Sequence, residues 1–184
     1  MNHLHHSKRF IAVALLAMSA AVLAHNGSKT LVNFEGAIGT DPLTPSNGVD
    51  VVNVVRGVNP SGRAWVLREL RASIGKDGSI HARGAGLLLA SGDVIGTRAG
   101  VAQVLATLAC GPANATATLF NSAPTALDTA GNFHLNSTLT QDGINPAVLP
   151  PTCDNPALLI RVVGANGAPG TWLAAGIPNQ PDDD

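Results

Sequence analysis

The sequence predicts an all-β protein, built as a single β-sandwich or flattened β-barrel of about eight to ten short, mostly antiparallel strands. Three observations predict this fold class. Short apolar segments recur along the chain, turn residues separate them, and several of the segments alternate apolar with polar residues. Alternation with a period of two sends successive side chains to opposite faces of a sheet, so such a segment can bury one face and expose the other.

The candidate strands follow the chain in order. Residues 29–35 alternate, and residues 49–58 are rich in valine, which favours strands. Asp77-Gly78 is the strongest hairpin signal, because this dipeptide favours the tight turns that join antiparallel strands. It predicts that the segments on either side pair, with His81 and Arg83 on the polar face. Further strands are expected at residues 101–110, 115–120, 132–139, 157–163 and 171–175.

Residues 63–74 fit two patterns. Their apolar residues lie at helical spacing, which predicts a short helix near residues 63–70. They also alternate from Arg68 onward, and the Asp77-Gly78 turn requires a strand before it as well as after it. We therefore expect a strand from Arg68, with the short helix as the alternative for the first part of the segment.

The first residues predict export from the cell. Lys8 and Arg9 give a positive n-region, and residues 10–24 form an apolar run shorter than the about 20 residues of a membrane span. Ala24 ends a small-residue cleavage pattern, so we expect a signal peptide over residues 1–24. Cleavage one or two residues away and an uncleaved membrane anchor are the alternatives. No second apolar run of spanning length follows. We therefore expect a secreted, periplasmic or otherwise extracellular protein with no membrane span after cleavage.

Three further segments complete the predicted organisation. Residues 25–28 should form a flexible N-terminus, residues 29–177 a single β domain and residues 178–184 a disordered acidic tail. The length of the middle segment suits one domain, and the sequence shows no internal repeat.

The only two cysteines, Cys110 and Cys153, lie in the part of the chain that we expect to be exported. An oxidising compartment favours a disulfide between them. Closing a loop of about 40 residues should stabilise the fold by about 4 kcal/mol in the chain-entropy argument. Neither a C-x-x-C motif nor a nearby histidine supports a zinc site.

Composition argues against several kinds of partner. Charged residues make up 12% of the chain and the net charge is −1, so the basic surface of a nucleic-acid-binding protein is not expected. Aromatic residues make up only 3%, with no tyrosine. Trp65 and Trp172 are therefore the candidates for stacking against a sugar or a base, and burial in the core is the alternative for both.

His25 raises the one specific metal hypothesis. Cleavage after Ala24 would leave it as the N-terminal residue, whose amine and ring can bind copper. In that single respect it is similar to the lytic polysaccharide monooxygenases, which are also secreted β-sandwich proteins, and His81 and His134 could complete the site. Arg83, on the same strand face as His81, would disfavour a cation there.

Other catalytic chemistry has little support in the sequence. There is no G-x-S-x-G nucleophile elbow and no phosphate-binding P-loop. The chain has two glutamates, Glu35 and Glu69, and its aspartates lie mostly in turn contexts. We therefore expect a protein that is not an enzyme and needs no cofactor. A copper-dependent polysaccharide oxidase that uses His25 is the alternative.

Arginines cluster in the middle of the sequence. If Arg68, Arg71 and Arg83 share one sheet face, they could bind an acidic polymer or a smaller anion. The alternative is that they solvate the strands and discourage edge pairing. The sequence thus predicts a secreted, non-enzymatic β domain with a binding or structural role at the cell exterior. Its expected partner is an unidentified extracellular ligand or surface component.

Overall fold

The computed structural model describes residues 29–112, 117–141 and 143–179. Strands make up 54% of the described residues and helix 2%, which confirms the predicted all-β class. Within the described ranges the one helical element is a 3-10 turn, Ala165–Gly167. The strands are β1 (Thr30–Gly39), β2 (Leu43–Ser46), β3 (Val49–Val52), β4 (Trp65–Val66), β5 (Glu69–Gly75), β6 (Ser79–Ala85), β7 (Leu88–Leu89), β8 (Gln103–Cys110), β9 (Thr118–Asn121), β10 (Thr125–Ala126), β11 (Phe133–Thr138), β12 (Ala157–Val163) and β13 (Pro169–Asn179).

Nine strands form one antiparallel sheet in the order β10-β8-β12-β13-β1-β5-β6-β11, with β9 also paired to β8. The sheet curls into a half-barrel, and hydrogen bonds join its two ends. Asn121, at the end of β9, exchanges backbone hydrogen bonds of 2.7 and 2.8 Å with Thr140, which follows β11. Thr125 Oγ1 of β10 also donates to the His134 carbonyl oxygen at 2.7 Å. This arrangement agrees with the predicted flattened barrel.

The alternation of buried and exposed residues along the strands places the core on the concave side of the sheet. In β5, Leu70, Ala72 and Ile74 are buried, whereas Glu69 and Arg71 are exposed. The strands β6 and β11 alternate in the same way. The buried side chains of these strands pack with those of β8 and β12 in one apolar cluster, so the concave side of the sheet is filled.

The strands β8 and β12 are buried on both faces. The outer side of β12 and β13 is covered by the chain around Val58, which packs with Leu159 and Trp172 in a second apolar cluster. The Trp172 backbone N–H donates to the Asn59 carbonyl oxygen at 3.0 Å, which fastens the covering segment to β13. The outer face of β5, β6 and β11 carries no such cover in the described part of the chain, and its outward side chains are largely exposed.

The alternative of a short helix near residues 63–70 is wrong. Trp65–Val66 forms β4, which pairs with Leu88–Leu89, and β5 begins at Glu69. Val66 is 48% exposed whereas Trp65 is 4% exposed, so the apolar residues at helical spacing do not share one buried face. The extended conformation sends Trp65 into the core and leads the chain into its pairing with β6.

Two predicted links between strands are confirmed. The Asp77-Gly78 turn joins β5 to β6, and Gly78 has a φ of 82°, a left-handed conformation that glycine adopts without strain. Cys110 and Cys153 form a disulfide with their Cα atoms 4.9 Å apart. This bond ties the end of β8 to the loop that precedes β12.

Several predicted segments lie outside the described residues. They are the signal peptide over residues 1–24, the flexible N-terminus over residues 25–28 and most of the acidic tail. The strand β13 continues to Asn179, two residues into the segment predicted as the tail. Of the helical structure that the described ranges contain, none has the length and apolar character needed to cross a membrane.

Candidate functional site

A row of four polar side chains crosses the open face of the sheet. Glu35 of β1 lies opposite Arg71 of β5. Arg71 lies opposite Arg83 of β6, which in turn lies opposite His134 of β11. All four residues are exposed. Residues directly opposite in antiparallel strands have Cβ atoms about 5 Å apart, so neighbouring side chains of the row can reach one another.

Core packing fixes the position of this row. Arg71 lies between two buried residues of β5, Leu70 and Ala72, so its side chain must face outward. Arg83 of β6 and His134 of β11 also lie between buried neighbours. Successive side chains of a strand point to opposite faces of the sheet. The alternation that places apolar side chains in the core therefore also places these charged side chains together on the outer face.

Two ion pairs lie on this face. Arg71 Nη2 is 2.9 Å from Glu35 Oε1, and the two side chains are 68% and 56% exposed. Arg68 Nε is 3.3 Å from Glu69 Oε1, with side-chain exposures of 71% and 73%. Pairs this exposed contribute only about 0–1 kcal/mol to stability, because water screens the attraction. They hold the carboxylates beside the arginines without consuming all the donors of either guanidinium.

Arg83 has neither a carboxylate partner nor a side-chain hydrogen bond among the described residues. It faces Arg71 directly across the β5–β6 pair. Like charges in this position are destabilising, and Glu35 compensates only one of the two arginines. The arrangement leaves an exposed guanidinium with five free N–H donors in the middle of the polar row.

The row separates two hollows in the surface. The larger has a volume of about 550 Å³, and its charged residues are Glu35, Arg68, Glu69, Arg71 and Arg83. The smaller has a volume of about 270 Å³, and its polar residues are Arg71, Ser73, His81, Arg83 and His134. Arg71 and Arg83 line both hollows, so the two adjoin at these residues. We call the two hollows together the arginine groove.

The arginine groove contains both glutamates of the chain and both histidines of the described ranges. Glu35 and Glu69 are the only glutamates in the sequence, and both line the larger hollow. His81 and His134 are the only histidines in the described ranges, and both line the smaller one. In a chain with 12% charged residues, this convergence marks the groove as the candidate site.

The other large hollows lack such a set of charges. One of about 650 Å³ lies beside the disulfide and has Asp154 as its single charged residue. Another, of about 490 Å³, lies between the ends of the curled sheet and has no charged residue in its lining. Neither brings several charged side chains together, as a binding site for an ion or a charged polymer needs.

Arg161, in contrast, is an arginine with a structural role. It is buried, and burial lowers the pKa of its guanidinium below the ordinary arginine value. Its Nε and Nη2 atoms donate to the carbonyl oxygens of Gly170 at 2.7 Å and Pro169 at 2.9 Å, and Nη1 donates to Thr107 Oγ1 at 3.3 Å. Arg161 therefore joins β12 to β13, whereas Arg83 makes no comparable contacts.

The three arginines named by the sequence line the larger hollow, and the two tryptophans do not join them. Trp65 and Trp172 are 4% and 2% exposed. The indole N–H of Trp65 donates to Ser61 Oγ at 3.0 Å, and that of Trp172 donates to the Asn53 carbonyl oxygen at 3.2 Å. Both positions fit the core interpretation, and neither ring has a free face for stacking against a ligand.

The histidines of the copper hypothesis are divided between the described and the undescribed parts of the chain. His81 and His134 line the same small hollow, together with the positively charged Arg71 and Arg83. The described residues contain no group of three or more His, Cys, Asp or Glu side chains that could hold a metal ion. Because His25 lies outside the described residues, the copper site stays a prediction from the sequence.

The chain matches no protein-family model, no curated protein and no solved structure. The geometry and charge of the arginine groove are therefore the observations that bear on function.

Sequence reasoning did not place Glu35, Glu69 and Ser73 in the candidate site. Their exposed positions follow from the alternation of β1 and β5, but their neighbours depend on strand pairings that the sequence does not state. The rarity of glutamate was visible, and it could have drawn attention to Glu35 and Glu69.

Proposed function

We propose that this protein is a secreted, non-enzymatic β domain that binds an anionic ligand in the arginine groove at the cell exterior. The observation that carries the proposal is the exposed guanidinium of Arg83, which faces Arg71 and has no carboxylate partner in the described ranges. The signal-peptide pattern over residues 1–24 supports export, and the Cys110–Cys153 disulfide is compatible with an oxidising compartment.

The donor chemistry of the groove suits an oxyanion. A guanidinium presents a planar fork of N–H groups that matches the oxygen atoms of a carboxylate, sulfate or phosphate. Arg71 and Arg83 present two such forks side by side, and Ser73 adds a hydroxyl group in the smaller hollow. A bound anion would also neutralise the repulsion between the two arginines, so binding and relief of repulsion act in the same direction.

The openness of the groove supports binding rather than catalysis. Glu35 and Glu69 are each paired with an arginine on a solvent-exposed surface. Electrostatic stabilisation of a transition state is strongest where water is excluded, which an open sheet face does not achieve. Binding through exposed charges instead predicts moderate affinity that falls steeply as salt screens the attraction.

The test compares charge variants on an anionic surface. Immobilised polygalacturonate should retain the wild-type protein at low salt, and neutral dextran should not. Arg83→Gln should weaken retention about tenfold, the equivalent of losing one charge-assisted hydrogen bond. Arg63→Gln is the matched control, because Arg63 is an exposed arginine outside the groove and the charge change is the same.

Three results would overturn the proposal. They are equal retention of wild type and Arg83→Gln, equal loss in Arg83→Gln and Arg63→Gln, and retention that survives 1 M salt. Circular dichroism of each variant checks that the fold is intact. Arg83 is exposed and makes no side-chain hydrogen bond or ion pair with the other described residues, so its substitution should leave the strands unchanged.

A further inference from the structure

We infer that the ligand of the arginine groove is an acidic glycan in which a charged sugar alternates with a neutral, hydroxyl-bearing one. This inference rests on the proposed anion-binding function and adds the class of ligand. It follows from the length of the groove, from the uneven distribution of charge along it, and from the chemistry of its surface.

The groove is elongated rather than round. The two hollows share Arg71 and Arg83 and extend from Arg68 at one end to Ser73 at the other. An extended chain advances about 3.4 Å per residue, so the distance from Arg68 to Ser73 is about 17 Å. A single small ion would occupy only part of this length, whereas an oligomer of several units would follow it.

Charge changes along the groove. In the larger hollow Glu69 lies beside Arg68 and Glu35 lies beside Arg71, so positive and negative groups alternate. In the middle Arg71 and Arg83 face one another. The opposite end, which contains Ser73 and the two histidines, has no carboxylate in its lining.

This distribution favours a ligand whose negative charges are spaced apart. A polymer that carries a charge on every unit would place one of them against Glu35 or Glu69. A neutral sugar unit at that position would instead donate its hydroxyl groups to the two carboxylates, which accept hydrogen bonds. The next unit, with its acid group, would then lie over Arg71 and Arg83.

Two other classes of polyanion fit this surface less well. Single-stranded nucleic acids carry a phosphate on every unit and are held by stacking on aromatic side chains, but both tryptophans are buried. An acidic peptide that adds a strand needs a free sheet edge. The groove lies on the face of β5 and β6, whose edges are already paired with β1 and β11.

The experiment compares probes of equal length by isothermal titration. The probes are an alternating uronate and N-acetylhexosamine octasaccharide, an octagalacturonate with a charge on every unit, and the oligonucleotide dT8. Wild type should bind the alternating octasaccharide about fivefold more tightly than the octagalacturonate, from one close like-charge repulsion in water. Its disaccharide should bind more weakly than the octasaccharide, because it spans only part of the groove.

The double variant Glu35→Gln with Glu69→Gln should reduce the preference for the alternating probe to less than about twofold, because the repulsion is removed. Asp50→Asn with Asp93→Asn is the control, since it makes the same charge change at exposed positions outside the groove. The control variant should keep the wild-type ratio.

The outcomes separate this inference from the proposed function. If no probe binds, or if Arg83→Gln binds all of them like wild type, the anion-binding proposal itself fails. If the probes bind but the ratio is near one, or is unchanged in the glutamate double variant, only the glycan inference fails. Tightest binding of dT8, or equal binding of disaccharide and octasaccharide, would also overturn it.

Discussion

Arg71 and Arg83 lie directly opposite one another on β5 and β6, with both side chains on the open face of the sheet. Two guanidinium groups in this relation repel each other, and among the described residues only Arg71 of the two has a carboxylate beside it. A fold selected for stability alone would gain by replacing one of them. We therefore expect that replacing one arginine of this pair raises stability and weakens anion binding.

Arg83→Thr should raise the free energy of unfolding by about 0.2–1 kcal/mol, because it removes a like-charge pair and places a β-branched residue in a strand. Urea denaturation followed by circular dichroism would measure the change. Arg83→Lys keeps the charge and should not stabilise the protein. A destabilised Arg83→Thr variant would contradict the expected repulsion.

Removal of the disulfide should cost a large part of the total stability. Cys110 and Cys153 are 43 residues apart in sequence, and their bond fixes the loop before β12. The Cys110→Ala and Cys153→Ala double variant should lose about 2–5 kcal/mol of unfolding free energy. Chemical denaturation of this variant, with and without a reducing agent, would measure the loss. A reductant that destabilises wild type but leaves the double variant unaffected is the expected control result.

The fluorescence of the two tryptophans should indicate an environment without water, and it should not change when a ligand binds. Trp65 and Trp172 are buried and each indole N–H has a hydrogen-bond acceptor. Their fluorescence should therefore be shifted to short wavelength, and acrylamide should quench it only weakly. Saturation with an anionic ligand should leave the emission spectrum unchanged. A ligand-induced shift would instead place a tryptophan in the binding surface.

The β5–β6 turn should make stability sensitive to acid. Ser79 donates to Asp77 Oδ1 from its hydroxyl group at 2.6 Å and from its backbone N–H at 3.0 Å, and these bonds lower the pKa of Asp77. A lowered pKa in the folded state means that the stabilisation is present above the unfolded value of about 3.9 and is lost as the pH falls through the folded value.

Asp77→Asn should accordingly reduce stability at pH 7 and flatten the loss of stability below about pH 4. Thermal unfolding between pH 2 and pH 7 would measure both effects. Asp50→Asn provides the comparison, because Asp50 is exposed and its carboxylate accepts no hydrogen bond in the described part of the chain. An identical pH profile for wild type and Asp77→Asn would refute the role of this turn.

The mature protein should begin at His25. Expression with the native N-terminus in a secreting host, followed by intact-mass measurement, should show the loss of residues 1–24. Copper titration of that material then tests the alternative oxidase hypothesis. Binding tighter than micromolar that is lost in His25→Ala would support the oxidase hypothesis, and unchanged weak binding would remove it.

The alternation of apolar residues is enough to predict the faces of β5, β6 and β11, and with them the outward positions of Arg71, Arg83 and His134. The alternation does not predict which strands pair with one another. Glu35 lies beside Arg71 because β1 pairs with β5, a contact between residues far apart in sequence that no local pattern encodes.

Local conformation explains the other differences. The strand predicted over residues 49–58 ends at Val52, and Arg56 and Gly57, with positive φ values of 52° and 78°, then reverse the chain. The reversal lets Val58 cover the outer side of β12 and β13. The very short strands β4, β7 and β10 were missed, since two residues are too few to show a period.

Among the described residues, Val58 covers the outer side of one half of the sheet, and the outer face of β5, β6 and β11 stays open. If the proposed groove is the binding surface, one domain can coat a long polymer but cannot cross-link two polymer chains. Mixed with an excess of a charged polysaccharide, one copy should add mass to each strand it coats while leaving the viscosity of the solution nearly constant. Tandem copies joined by a linker would be needed to turn the same solution into a gel.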